Sequence, residues 1–212
     1  MKDNRLHFLF AGGGTGGHLF PAIAVADKIK SMAPDAEILF IGSKSRIEGK
    51  IVPAAGYKFK SIWIKGFSRK FKLENFLFPL KLVVSMLQSL VINIMFRPVV
   101  AIGSGGYVSG PPIYGAWIMG AKIILLEQNS YPGITTRMLE NKAREIFISF
   151  EDSKKYFRNK NKLFLTGNPI RNYFSALSKK DALKTFGLSS GKKTILILGG
   201  SLGAGTINKA VA

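Results

Sequence analysis

The chain has 212 residues, of which 47% are hydrophobic and 20% charged; this is more than one typical domain and the make-up of a folded protein, not a disordered one. It has no cysteine, which excludes a disulfide scaffold, a thiolate metal site and a thiol nucleophile, and suits a reducing compartment. Lys and Arg number 31 against 12 Asp and Glu, a formal net charge of +19, so the expected partner is anionic: nucleic acid, an acidic membrane surface or a phosphorylated substrate.

The N-terminus, Met1-Lys2-Asp3-Asn4-Arg5, leads into a short apolar run that lacks the length and cleavage site of a secretory signal, so no export is expected. A first strand is predicted at residues 6–11, ending in Ala11-Gly12-Gly13-Gly14-Thr15-Gly16-Gly17-His18 and a helix from Leu19 onward. Strands follow at 37–41 and 59–64. Residues 76–96 then carry a single charge, Lys81, over a length that could span a membrane. Lys81, Ser85, Gln88, Ser89 and Asn93 share one helical face, however, so a buried core helix and a helix lying at a membrane surface are alternatives to a spanning one. Just upstream, Lys65, Arg69, Lys70 and Lys72 interleave with Phe67 and Phe71, a mixture that suits anionic headgroups or a plain solvated loop. Further strands are predicted at 99–102, 122–126, 145–149 and 162–165.

Strands alternating with helices through Gly-rich turns predict an α/β fold with a doubly wound parallel sheet, whose ligands gather at the carboxyl ends of the strands. A boundary is expected near Gly167, giving a domain over 1–166. Residues 167–212 then hold a linker, a polar helix around 178–186, a strand at 194–198, the turn Gly199-Gly200-Ser201-Leu202-Gly203 and the start of a helix. One βα unit cannot bury its own faces, so the second domain reads as only begun.

Three Gly turns follow strands, and each could be either a tight connection or a phosphate cradle. Gly12, Gly14 and Gly17 fit the dinucleotide pattern, but Phe40-Ile41-Gly42-Ser43 supplies no acidic residue at the end of the second strand to hold a ribose. No Lys-Ser/Thr pair closes the loop as in a triphosphate P-loop. The second turn is Gly103-Ser104-Gly105-Gly106-Tyr107-Val108-Ser109-Gly110. His18, beside the first turn, could be a general base, an anion donor or a packing residue. His7 lies within the first strand and reads as structural. Two histidines without a carboxylate cluster argue against a metal site. Glu127-Gln128-Asn129 ends a strand at the same rim, and Asn168-Pro169-Ile170-Arg171 marks the junction. Nucleic-acid binding, despite the charge, lacks a recognition motif.

Together, Gly13-Gly14-Thr15-Gly16-Gly17-His18 with Pro21, the run Gly105–Pro111, Glu127-Gln128-Asn129, Gly167-Asn168-Pro169-Ile170-Arg171 and Gly199-Gly200-Ser201-Leu202-Gly203-Ala204 resemble the MurG family of bacterial transferases. That family moves N-acetylglucosamine from its UDP donor to undecaprenyl-diphospho-muramoyl-pentapeptide in peptidoglycan synthesis. The resemblance implies a two-domain GT-B fold, an acceptor-binding, membrane-associating N-terminal domain, no cofactor, and an inverting displacement. It implies acceptor-diphosphate contacts at Gly13, Gly14, Gly105, Gly106, Tyr107 and Ser109, and UDP-N-acetylglucosamine contacts at Thr15, Gly16, Gly17, Asn129, Arg171 and Ser201. His18 is the expected base, with Glu127 the second choice. It further implies a peripheral place on the cytoplasmic face of the plasma membrane, an anionic lipid surface as partner, and other cell-wall synthesis proteins as possible partners. Family members continue well past the third Gly turn, so this chain alone is expected to bind the donor poorly. A non-catalytic module binding lipid diphosphate, or a related lipid glycosyltransferase, is the alternative.

Overall fold

The computed structural model describes residues 5–64, 77–171, 178–198 and 205–211. The basic and aromatic run from Lys65 to Lys72 and the third Gly turn, with Ser201, lie outside them. The chain divides into two compact units, residues 1–170 and 171–212.

In the first unit, β1 (His7–Gly12), β2 (Glu37–Gly42), β3 (Lys58–Ser61), β4 (Val100–Gly105), β5 (Lys122–Glu127), β6 (Glu145–Ile148) and β7 (Leu163–Leu165) form one sheet. Its order is β3-β2-β1-β4-β5-β6-β7 and every pairing is parallel. The doubly wound sheet expected from the alternation is therefore present. Side chains along β1 alternate between two cores, as a strand covered on both faces requires. Phe10 enters the layer with Phe40, Ile102 and the residues Leu19, Ile23 and Ala26 of α1 (Gly16–Met32), and its ring stacks on Phe40 at 4.9 Å. Leu9 and Ala11 face the opposite layer, with Leu39, Ile123 and residues Ile113 and Ala116 of α4 (Gly110–Ile118). The short helix α2 (Glu48–Ala54) precedes β3, and α5 (Ile134–Leu139) follows β5. The winding reverses between β1 and β4, and this is where an open parallel sheet leaves a crevice beyond its carboxyl ends.

The long apolar segment forms α3 (Phe78–Phe96), with Pro79 in its first turn and an end at Arg97, whose backbone is left-handed (φ 52°) just before Pro98. It is not a core helix: only 17% of its most apolar window is buried. Its polarity is turned over. Ser85, Ser89 and Asn93 are fully buried, whereas Val83, Leu87 and Met95 are 56, 59 and 80% exposed. The small polar side chains let α3 approach α4 closely, and Asn93 Nδ2 donates to Pro112 O at 3.2 Å and to Ser89 O at 2.8 Å. Beside them, Gln88 Oε1 accepts the backbone N–H of Trp63 at 2.7 Å. Among the described residues α3 is the one helix with the length and apolar character to cross a membrane.

In the second unit, the polar stretch forms α6 (Lys179–Thr185), capped by Ser178 Oγ, which accepts Asp181 N–H at 3.1 Å. Residues Gly205–Val211 form α7. The strand expected at 194–198 is not formed. Its apolar, β-branched run has strand propensity, but no ladder partner is present among the described residues, and Ile195 is 85% exposed.

Candidate functional site

The turns after β1, β4 and β5 meet at the reversal point of the sheet, because parallel strands in register end together. Gly13 N donates to Gly105 O at 3.4 Å, joining the first two turns. Gly106 needs the left-handed backbone (φ 79°) that L side chains disfavour. Gly105 has such a backbone too (φ 96°), and contact adds a second reason: a methyl group there would come within 2.7 Å of His18 Nδ1. The absence of both side chains gives the His18 ring its place between the two turns.

His18 is half-buried in the first turn of α1, and its Nδ1 lies 3.2 Å from Gln128 Oε1. The amide of Gln128 is oriented by its own Nε2, which donates to Leu126 O at 3.3 Å. Nδ1–H is then the donor to Oε1, and the neutral imidazole carries its lone pair on Nε2. A ring so held can take a proton at Nε2. At Thr15, the N-cap of α1, no side chain caps the helix, and the N–H groups at Gly16 and Gly17 are among those an α-helix leaves without intrahelical partners. These groups and the helix dipole favour an oxyanion in front of them.

The other expected residues divide. Tyr107 places its ring beside Gly14, and its hydroxyl is buried without a hydrogen-bond partner. Gly13 and Gly14 line the rim, but their N–H groups are engaged: Gly14 N donates to Glu48 Oε2 at 3.0 Å. Ser109 ends the short helical turn that follows Gly106. It is buried, and its Oγ donates to Gly106 O at 2.8 Å, which makes it a tie across its own turn. Glu127, the second choice as base, is 2% exposed. One of its oxygens accepts from Asn129 N and Nδ2 at 3.0 and 2.9 Å and the other from Gly133 N at 3.0 Å. With three N–H donors on its two oxygens and almost no exposure, this carboxylate anchors the β5–α5 loop. Asn129 is exposed and its amide is turned to Glu127. Arg171 belongs to the second unit. His7 packs on Phe96, with Nδ1 2.6 Å from Phe96 O, as a structural residue does. Among the described residues no group of three or more His, Asp or Glu is placed to hold a metal.

Sequence reasoning missed two residues. Glu48, 1% exposed, accepts Ser43 N and Gly14 N, both at 3.0 Å, and so ties the first Gly turn to the β2–α2 connection. Gln128, read only as part of a polar strand end, orients His18. Their decisive partners are distant in sequence: His18 in α1 is 110 residues from Gln128, and Gly14 in the first Gly turn is 34 residues from Glu48.

Residues 8–148 match the glycosyltransferase family 28 N-terminal domain. Among curated proteins, the chain is 46% identical over 207 residues to a UDP-N-acetylglucosamine–N-acetylmuramyl-(pentapeptide) pyrophosphoryl-undecaprenol N-acetylglucosamine transferase of Flavobacterium psychrophilum, covering 97% of this chain and 56% of that protein. It is 42% identical over 203 residues to the transferase of the same name from a Thermoanaerobacter species, covering 96% and 56%. The chain thus spans about half the length of the curated relatives it matches. Among solved structures, MurG of Acinetobacter baumannii superposes with a TM-score of 0.64 at 21% identity, over 80% of this chain and 47% of that one. A glycosyltransferase of Rickettsia africae superposes at 0.60 and 12% identity, over 88% and 51%.

Proposed function

The chain belongs to glycosyltransferase family 28, and from that premise we propose that it is the acceptor-binding half of an N-acetylglucosaminyltransferase that uses UDP-N-acetylglucosamine and an undecaprenyl-diphospho-N-acetylmuramoyl-pentapeptide acceptor. The observation that carries the reading is the pairing at one rim of an uncapped helix N-terminus, at Thr15, Gly16 and Gly17, with an oriented imidazole, His18.

In this reading His18 Nε2 removes the proton from the attacking hydroxyl of the acceptor sugar. The oxygen attacks the anomeric carbon of the donor from the face opposite UDP, the bond to the diphosphate breaks, and the configuration inverts. Gly16 and Gly17 N–H groups stabilise phosphate charge before the helix, and Tyr107 supplies a hydroxyl to the acceptor side. Arg171, Asn129 and Ser201 complete the donor contacts, and the chemistry needs no cofactor. The outward apolar face of α3 rests on the anionic cytoplasmic leaflet as a peripheral attachment, which brings the rim to a lipid-linked acceptor. Curated relatives that carry the transferase name along 96–97% of this chain support the reading.

The test is transfer of labelled N-acetylglucosamine to a lipid-diphosphate acceptor by a full-length form containing this sequence. His18→Ala is expected to lower kcat by about 10²–10⁴-fold, with unchanged thermal unfolding. Wild-type activity that survives this substitution removes His18 as the base.

A further inference from the structure

Next to the first Gly turn, and apart from His18, a cavity of about 520 Å³ opens beyond the carboxyl ends of β2 and β3. Ser43, Lys44, Arg46, Trp63, Lys81 and Tyr107 are among its lining residues. Three of these are cations and no carboxylate lines it among the described residues. The nearest acid in sequence, Glu48, is buried and spends its oxygens on Ser43 and Gly14 N–H. Lys81 Nζ sits 5.5 Å from the centre of the Trp63 ring, on a wall fixed by the bond from Trp63 N to Gln88. Tyr107 is shared between this cavity and the Gly turn, and its unpartnered buried hydroxyl is a donor without an acceptor. The cavity is therefore lined with positive charge and adjoins the rim while differing from it in walls and charge.

We propose that this cavity receives the peptide branch of the acceptor, and that Lys44, Arg46 and Lys81 hold its free carboxylate. The proposal rests on the acceptor reading above. A pentapeptide joined to a muramyl sugar through its amino end terminates in a carboxylate, and five residues reach at most about 17 Å when extended. An acceptor sugar beside His18 and Tyr107 thus has its peptide end within range of a site whose first wall is Tyr107. Arg46 offers the planar fork that matches a carboxylate, and two lysines add charge without fixing direction. A phosphate has the same attraction to these cations, so the test separates the two sources.

The experiment measures binding of the chain to soluble short-prenyl diphospho-muramoyl probes. One bears a pentapeptide ending in carboxylate, the other the same peptide ending in carboxamide. The wild-type chain is expected to bind the carboxylate probe about tenfold more tightly. Lys44→Gln combined with Arg46→Gln is expected to bind both probes alike, at the wild-type affinity for the carboxamide, while Arg46→Lys retains part of the preference. Lys44 and Arg46 are exposed, so circular dichroism should report an intact fold. Equal binding of the two probes by wild type overturns the peptide subsite. A double variant that also loses the carboxamide probe assigns the cations to the diphosphate and overturns it as well. Wild type that binds neither probe removes the acceptor reading itself, a separate failure.

Discussion

At the scale of single residues, the site rests on hydrogen bonds that choose between chemically similar candidates. His18 and Glu127 sit at the same rim, yet one has a nitrogen available and the other has both oxygens occupied by loop N–H groups. Gln128 Oε1 holds the His18 ring, so in the proposed reaction it is a positioning residue. Gln128→Leu in the full-length form is therefore expected to lower kcat about tenfold with KM within twofold, and Gln128→Glu, which keeps an acceptor for Nδ1–H, to restore most of it. A loss confined to KM would place Gln128 in binding. Glu37 offers a pH test unrelated to catalysis. Its hydrogen bond to Lys58, together with the charges of Lys58, Arg5 and Lys30, outweighs desolvation and holds its carboxyl below the usual range. A lowered folded value means stability that is present at neutral pH and lost as the pH falls through that range. Glu37→Gln should flatten the acid side of a melting-temperature profile and leave the alkaline side unchanged. Within the site, His18 and the Gly turns were legible because glycines and a helix start form a contiguous string. Glu48 and Gln128 were not, because the groups that mark them as acceptors, Gly14 N and His18 Nδ1, come from turns and helices far away in sequence.

At the scale of elements, the central strands were legible since helices bury both their faces, so propensity and context agree, and the edge strands β3 and β7, largely exposed, follow them as ladder partners. The run at 194–198 shows the converse: Thr194-Ile195-Leu196-Ile197-Leu198 has the same propensity and forms no strand without a ladder beside it. For α3 the polar arc was visible in the spacing, but the direction it faces was not. Hydrophobic periodicity gives the angle between two faces and leaves open which is inside. Here Ser85 Oγ and Asn93 Nδ2 on the inner face donate to backbone carbonyls of α3 and α4, and Ser89 is buried beside them. Asn93→Ala removes the bond to Pro112 O and should cost about 1–3 kcal/mol in chemical denaturation. Leu87→Asp on the outer face should leave stability within about 0.5 kcal/mol. It should also reduce co-sedimentation with anionic liposomes at low salt, and equal pelleting of this variant and wild type would remove α3 as the attachment face.

At the scale of the whole molecule, the first unit carries a complete sheet with its crevice, whereas the second is described only by two short helices and their connections. The donor contacts expected at Arg171 and Ser201 belong to that second part. Titration calorimetry of the 212-residue chain with UDP-N-acetylglucosamine is expected to show no micromolar binding, and a micromolar affinity would mean that the first unit holds the donor unaided. The outer face of α3 has a consequence for the protein in plain buffer. Because Asn93 ties the inner side of the helix to Pro112 of α4 and the small buried serines pack beside it, rolling the helix to hide its leucines and valines would break that contact, so the greasy strip stays outside. What keeps such molecules apart in solution is mutual repulsion from a charge of +19. Added salt shortens the range of that repulsion to about 10 Å at 0.1 M. The protein should therefore be a colloid that clusters as ionic strength rises, the reverse of salting-in, and light scattering along a sodium chloride series would record it.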